Sequence, residues 1–422
     1  MIFIPFVFFL IILTALLWSR RKFDLASYVA LLYVIISFFA ILNDFFGLRY
    51  PDVVNYEISF EATFVYCVLL GIFLIPIVRY TKNGIMKMTP IENQNILKIL
   101  STCAFVLFCV TLVGAFNSLL GVLTGDMKAL RSAVYARTAD DAWYSTLPFG
   151  LKQFVSMGNI FFADFWIMQF LAFFSLFVQK TKKYAVFFFI ASLLGPLWGI
   201  LNIDRSKVTY WIIALIANYF MFDKQMTDKQ KKIFVVFSSI CILFLIIYLS
   251  MMTNARFDGR DYGGTIVGPL AGIIAYLGQP FVHFSFFYDN FQNNEPTLAG
   301  IFPFIHSFFF GGFGSGVAIQ AHLTSLYHWH FGVFYTFLGH ILISAGKAWM
   351  FVYVIVLALV GFSLFIQKPH EKETLTKLYL FMTYSSIMYL GVFGYSYSSF
   401  FTTVSFVFFL FIFKLMSIRI KQ

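Results

Sequence analysis

The sequence predicts an all-α polytopic membrane protein: about eleven transmembrane helices and one large outer loop with room for re-entrant helices. Three observations predict it. Of 422 residues, 60% are hydrophobic and 12% are charged, half the ~25% charge of a soluble domain. Phe alone occurs 59 times. Apolar runs close to the ~20 residues that cross a hydrocarbon core of about 30 Å recur from end to end. A soluble enzyme, a disordered chain and a disulfide scaffold are thereby excluded. Cys67, Cys103, Cys109 and Cys241 all fall inside apolar runs, as small core residues do.

In chain order the runs are 2–18, 26–47, 58–78, 96–119, 153–179, 184–202, 208–222, 233–253, 348–366, 378–394 and 400–418. The connectors after the first, third, fifth and seventh are basic: Arg20-Arg21-Lys22, then Arg79/Lys82/Lys87, Lys180/Lys182/Lys183 and Lys224/Lys229/Lys231/Lys232. Lys368/Lys372/Lys377 and the tail Arg419/Lys421 continue the pattern. Positive charge stays on the cytoplasmic side, so the N-terminus is expected outside, with the first run an uncleaved span. Parity then leaves 254–347 starting and ending outside, with either no span or two between. That stretch is long for a connector and is interrupted by Pro269, Pro280, Pro296, Pro303 and many glycines. Irregular backbone at membrane depth persists only where protein buries it or it lines a cavity. The expected division is therefore 1–253 as an N-terminal bundle of eight spans, 254–347 as a large periplasmic or re-entrant element, and 348–422 as a three-helix membrane segment.

Inner and outer basic residues differ in kind. The inner side holds 16 Lys and 4 Arg; the outer side holds six Arg (Arg49, Arg131, Arg137, Arg205, Arg256, Arg260) against Lys128, Lys152, Lys207 and Lys347. Topology needs only charge, whereas the guanidinium fork grips phosphate oxygens with two bonds. Pairing with Asp140, Asp141, Asp258 or Asp261 and binding of an anionic ligand both account for the excess. The loop 120–152 sets Tyr135, Trp143 and Tyr144 among charges, which suits sugar rings and an interfacial aromatic belt alike.

Six of the seven histidines fall within 283–340. His322, His328 and His330 lack the spacing and acidic partner of a zinc helix, and no cysteine is nearby, so no metal is expected. A hydrogen-bonding role and a general-base role stay open for the histidines. Gly311-Gly312-Phe313-Gly314-Ser315-Gly316 suits an anion nest or a hinge. Glu61, Asp164 and Asp44 are the acids in or near spans, where an ionisable group is functional by default. The inner connectors carry no nucleotide-binding motif, so no cofactor is expected. Nor is nucleic acid, since the +11 charge is distributed by topology.

The layout, an Arg-bearing outer connector after a mid-chain span followed by a long outer loop opening with arginines and aromatics, resembles the oligosaccharide repeat-unit polymerases, the Wzy-type O-antigen polymerases. The pieces are Leu201-Asn202-Ile203-Asp204-Arg205-Ser206-Lys207, Arg256–Arg260 leading into Tyr276-Leu277-Gly278-Gln279-Pro280, and Phe334-Tyr335-Thr336-Phe337-Leu338-Gly339. Some members show an arginine and a glycine separated by ten residues; here Arg256 to Gly268 and Arg260 to Gly272 each enclose eleven. The resemblance implies a multi-pass glycosyltransferase of a bacterial inner membrane. It would polymerise O-antigen or a related surface polysaccharide from undecaprenyl-diphosphate-linked oligosaccharide donor and acceptor. Membrane lipid and a chain-length regulator protein are the other partners it implies. Arg131, Arg137, Arg205, Arg256 and Arg260 would hold the diphosphate, and Tyr135, Trp143 and Tyr276 the sugars. His306, then His283, then Asp289 would take the acceptor proton. A carboxylate beside arginines is the weaker base. A lipid-linked oligosaccharide flippase or transporter, an O-antigen ligase and a membrane O-acyltransferase are the alternatives.

Overall fold

The computed structural model describes residues 1–82, 88–116, 119–120, 148–162, 164–202, 204–257, 268–292, 298–310, 316–329, 331, 334–366 and 372–417. Among them the chain is helical, with no β-strand. The helices are α1 Phe3–Arg20, α2 Leu25–Phe45, α3 Phe60–Thr81, α4 Gln94–Gly114, α5 Phe149–Phe161, α6 Phe165–Phe177, α7 Lys182–Ser192, α8 Leu194–Leu201 and α9 Arg205–Phe222. They continue as α10 Asp228–Phe257, α11 Pro269–Asn290, α12 Pro303–Phe310, α13 Gly316–Tyr327, α14 Thr336–Ala345, α15 Lys347–Leu364, α16 Leu375–Tyr389 and α17 Phe400–Met416. Among the described residues eight helical stretches are long and apolar enough to cross a membrane: α1 to α4, the α7–α8 pair, α10, α11 and α15. The chain is an all-α polytopic membrane protein. Where the sequence reads one span over 153–179, the chain forms α5 and α6, and α6, α14 and α17 are shorter apolar helices.

The chain forms two compact units, each assembled from separated stretches: Met1–Gly84 with Gly259–Glu371 and Lys377–Thr403, and Ile85–Asp258 with Lys372–Thr376 and Val404–Gln422. In the first unit, Asp24 caps α2 by accepting the Ser27 N–H at 3.0 Å. The guanidinium of Arg20, at the end of α1, donates to the Asp24 carboxylate, to the Val78 carbonyl and to Thr81 Oγ1 at 2.8 Å. A residue that reads as a topology marker thus ties three helix ends together as a buried ion pair, whose breaking costs about 3–5 kcal/mol. Ser59 caps α3 in the same manner, from Ala62 N–H at 3.0 Å.

Helix α11 shows what the start of the proline-rich 254–347 stretch becomes. Pro269 sits in its first turn, where the missing N–H costs nothing, and the helix runs on through Pro280. Tight enclosure explains that persistence: 83% of its apolar window is buried. Its start packs Ala271, Ile274 and Ala275 on Leu48, just beyond α2. At Gly278 a Cβ would stand 2.5 Å from the Phe39 carbonyl oxygen, so only glycine allows this approach to α2. Phe281 and Phe284 meet Tyr66 of α3 at ring distances of 4.9 and 5.3 Å. Its last turn bonds Tyr56, Ser59 and Glu61. Both ends of α11 therefore reach the one connector that joins α2 to α3. Between them α11 is wedged against both α2 and α3.

In the second unit, α6 is buried along almost its whole length and packs on α7 and α9, while α4 packs on α5 and α7. Helix α10 is the opposite case: only 11% of its apolar window is buried. A helix apolar all round and unburied by protein is solvated by lipid. Two interruptions matter most, between α5 and α6 and between α8 and α9.

Candidate functional site

Many of the sequence candidates fall outside the described residues: Arg131, Arg137, Tyr135, Trp143, Arg260 and the glycine-dense 311–315 stretch. Arg205 opens α9 and Arg256 lies near the end of α10; their side chains are also outside what is described. Among described residues, no three His, Cys, Asp or Glu side chains are grouped to hold a metal ion.

The remaining candidates lie in the first unit. His283 is buried at 3% exposure, with Nδ1 3.2 Å from the Gln279 carbonyl oxygen and its ring edge-on to Tyr50 at 5.5 Å. Tyr276 is enclosed by Phe334 and Phe393, at 4.7 and 5.7 Å, so its ring packs on other rings rather than facing a sugar. His306 is half-buried on α12, while His322 and His328 are exposed. Asp289 is exposed and already engaged: its carboxylate accepts from the Tyr56 hydroxyl at 2.5 Å and from Ser59 at 2.9 Å. Burial, then that bond, push the Tyr56 phenol above its ordinary range, so Tyr56 remains a donor. Alongside, Tyr288 donates to Glu61 at 2.8 Å, Lys347 lies 4.1 Å above the Tyr288 ring, and Arg49 pairs with Asp44 at 2.6 Å. Each acid in this group has its donor.

The second unit holds a different arrangement. At the two helix interruptions Phe162, Phe165, Leu194, Gly195, Trp198, Asn202 and Lys207 line a cavity of about 260 Å³. The sequence dictates its form step by step. Asp204 accepts from the Ser206 N–H at 2.8 Å and from the Ser206 hydroxyl at 2.7 Å, which starts α9 there and puts Lys207 in its first turn. Gly195 lets α8 close on α6, since a Cβ would stand 2.6 Å from the Phe165 ring. Phe165, Leu194 and Gly195 are buried and form the floor; Asn202 and Lys207 are exposed and form the mouth. Asp164, next to Phe165 in the chain, is 8% exposed. Its Oδ2 has no hydrogen-bond partner among the described residues.

The pocket is thus polar and cationic at one end and apolar at the other, close to the lower end of the ~300–1,000 Å³ of small-molecule sites. It can hold a phosphorylated head group and the first carbons of a chain, not an oligosaccharide. Comparison with protein families, curated proteins and solved structures finds no match for this chain. The cavity lies on the Asn202–Lys207 stretch that carries the polymerase resemblance. Sequence reading did not bring Asp164 to it, because the break after Phe161 interrupts an apolar run with no proline or charge other than Asp164 itself. The one signal was length: 153–179 is longer than a span requires.

Proposed function

We propose that the chain is a polymerase of lipid-linked oligosaccharide repeat units, a glycosyltransferase whose donor is held by its diphosphate in the pocket at the α8–α9 turn. The observation that carries this reading is the pairing of Lys207 and Asn202 at the mouth with Phe162, Phe165 and Leu194 beneath. A polyprenyl diphosphate has that same polarity. In the reaction, an acceptor hydroxyl attacks the anomeric carbon and the bond to the diphosphate oxygen breaks. Negative charge grows on the leaving oxygens, where Lys207, with Arg205 two residues before it, stabilises it. Placed in the outer connector by the distribution of basic residues, both would meet a periplasmic donor. The acceptor proton passes to a base, the role the resemblance gives first to His306.

A second reading has its own observation. Broken helices whose half-helix N-termini point at an anionic substrate are also how transporters hold cargo, and Lys207 lies in the first turn of α9. A lipid-linked oligosaccharide flippase would use the pocket for passage rather than bond formation. Reconstitution in liposomes with purified lipid-linked repeat units separates the two. A polymerase yields a gel ladder that disappears in Lys207→Ala; a flippase moves the glycolipid across the bilayer with no ladder. Transfer only to a lipid A core, never to another repeat unit, would identify a ligase.

A further inference from the structure

We propose that Arg79 anchors the phosphate of an anionic phospholipid whose chains lie along α15. The site belongs to the first unit and is independent of the transfer reaction. Helices α3 and α15 close on one another at Pro76 and Gly361, where an added Cβ would stand 3.2 Å from Pro76 Cβ and 2.9 Å from the Tyr384 ring. Just beyond this contact, in the last turn of α3, Arg79 is exposed. Its guanidinium carbon lies 4.0 Å from the centre of the Phe362 ring, and Nη1 lies 3.4 Å from the Phe362 carbonyl oxygen.

Two arginines meet the end of α3, and they differ. Arg20 donates to Val78 and Thr81 there, is buried, and has the Asp24 carboxylate. Arg79 has no ion pair among the described residues. Over the turn after α1 and the ends of α3 and α15, Asp24 is the one acid among the described residues, against Arg20, Arg21, Lys22, Arg79 and Lys82. Capping of α15 does not use up the guanidinium. Lys377 donates to the Ile366 carbonyl at 2.8 Å, just past the helix, and Arg79 gives one long bond out of its several N–H donors. The Phe362 ring beneath holds the guanidinium plane, which leaves a fork that matches two phosphate oxygens.

Below that fork, Val352, Ile355, Val356, Leu359 and Phe362 are exposed along α15. They recur at helical spacing and so form one stripe. Ile75, a turn before Arg79 on the same face of α3, is exposed as well. From Val352 to Phe362 the stripe runs roughly 15 Å, half of a hydrocarbon core of about 30 Å, which is the depth of one leaflet. An apolar stripe alone calls for lipid of any kind. A guanidinium at its end, without a carboxylate partner among the described residues, selects an anionic head group, as basic clusters beside membrane helices do.

The test titrates the full chain in detergent with phosphatidylglycerol and, separately, with phosphatidylcholine of the same chains, each bound lipid being resolved by native mass spectrometry. The first phosphatidylglycerol is expected to bind wild type about fivefold more tightly, the scale of one basic residue's attraction to an anionic lipid. Arg79→Gln should remove that preference, and Lys22→Gln, which deletes a neighbouring cation outside the site, should keep it. Arg79→Lys, the variant to use should the Gln variant not fold, keeps the charge without the fork and is expected to lower the preference about twofold. Free glycerol phosphate should not displace the bound lipid, because the stripe holds its chains. Equal affinity of wild type for the two lipids, or a wild-type preference in the Arg79 variants, overturns the proposal. So does an equal loss in Lys22→Gln, which would mean a diffuse basic surface, or displacement by glycerol phosphate, which would mean a site for a free anion.

Discussion

The α11 cluster of the first unit and the pocket of the second are built from similar residues and end in different states. Around α11 every acid has been given a donor: Asp289 takes Tyr56 and Ser59, Glu61 takes Tyr288, and Asp44 takes Arg49. These bonds hold the wedge in place. At the α5–α6 and α8–α9 interruptions, a buried carboxylate oxygen lacks a donor among the described residues, and a lysine opens onto a cavity. Buried polar groups are ordinarily paired, and an exception calls for a reason such as catalysis or a missing ligand. Completed pairs indicate architecture; an incomplete one beside a cavity indicates a site.

The comparison breaks most readily at Lys207. Lys207→Ala is expected to lower glycan transfer in liposomes about 100-fold or more, the scale of removing one stabilising donor from a developing anion; a fall under threefold would shift the function elsewhere. Arg205→Lys keeps the charge and loses the two-bond fork, and an order-of-magnitude fall, about tenfold, is expected in the same assay. A normal rate would show that charge alone suffices. Gly195→Val sharpens the geometry. The added carbons push Phe165 into the cavity, and overpacking of this kind costs about 1–3 kcal/mol. Thermal unfolding should show that loss together with weaker farnesyl diphosphate binding, whereas unchanged binding would remove the floor from the site. The smallest effect is expected on the other side of the comparison. Tyr56→Phe deletes one hydrogen bond to Asp289 and should lower stability by about 1 kcal/mol without changing the transfer rate.

How much of this was legible in the sequence depends on which physical rule governs each residue. The helical membrane class followed from composition and run length, because a bilayer tolerates few alternatives. The wedge did not follow. Pro269 and Pro280 read locally as breaks, but Pro269 falls at a helix start, and the enclosure of Gly278 against Phe39 outweighs the bond that Pro280 forfeits. Arg20 read as a cytoplasmic marker and proved to be a clamp, since charge placement says nothing of partners 58 and 61 residues away. His283 and Tyr276 attracted attention by chemistry and turned out to be packed among rings, as apolar flanking residues allow. Lys207 and Asn202 were legible as part of an outer turn. Asp164 was legible only as an acid in a span; its burial with one oxygen unpartnered among the described residues is a tertiary fact that no spacing encodes.

The most direct measurement sets one residue from each region side by side. Lys207→Ala and Asp289→Asn, purified and reconstituted at equal density with lipid-linked repeat units, are compared with wild type for initial rate of ladder formation. The expected result is loss of the ladder in Lys207→Ala and a wild-type rate in Asp289→Asn. Normal ladders from Lys207→Ala with none from Asp289→Asn would contradict the assignment and place the chemistry at the α11 cluster.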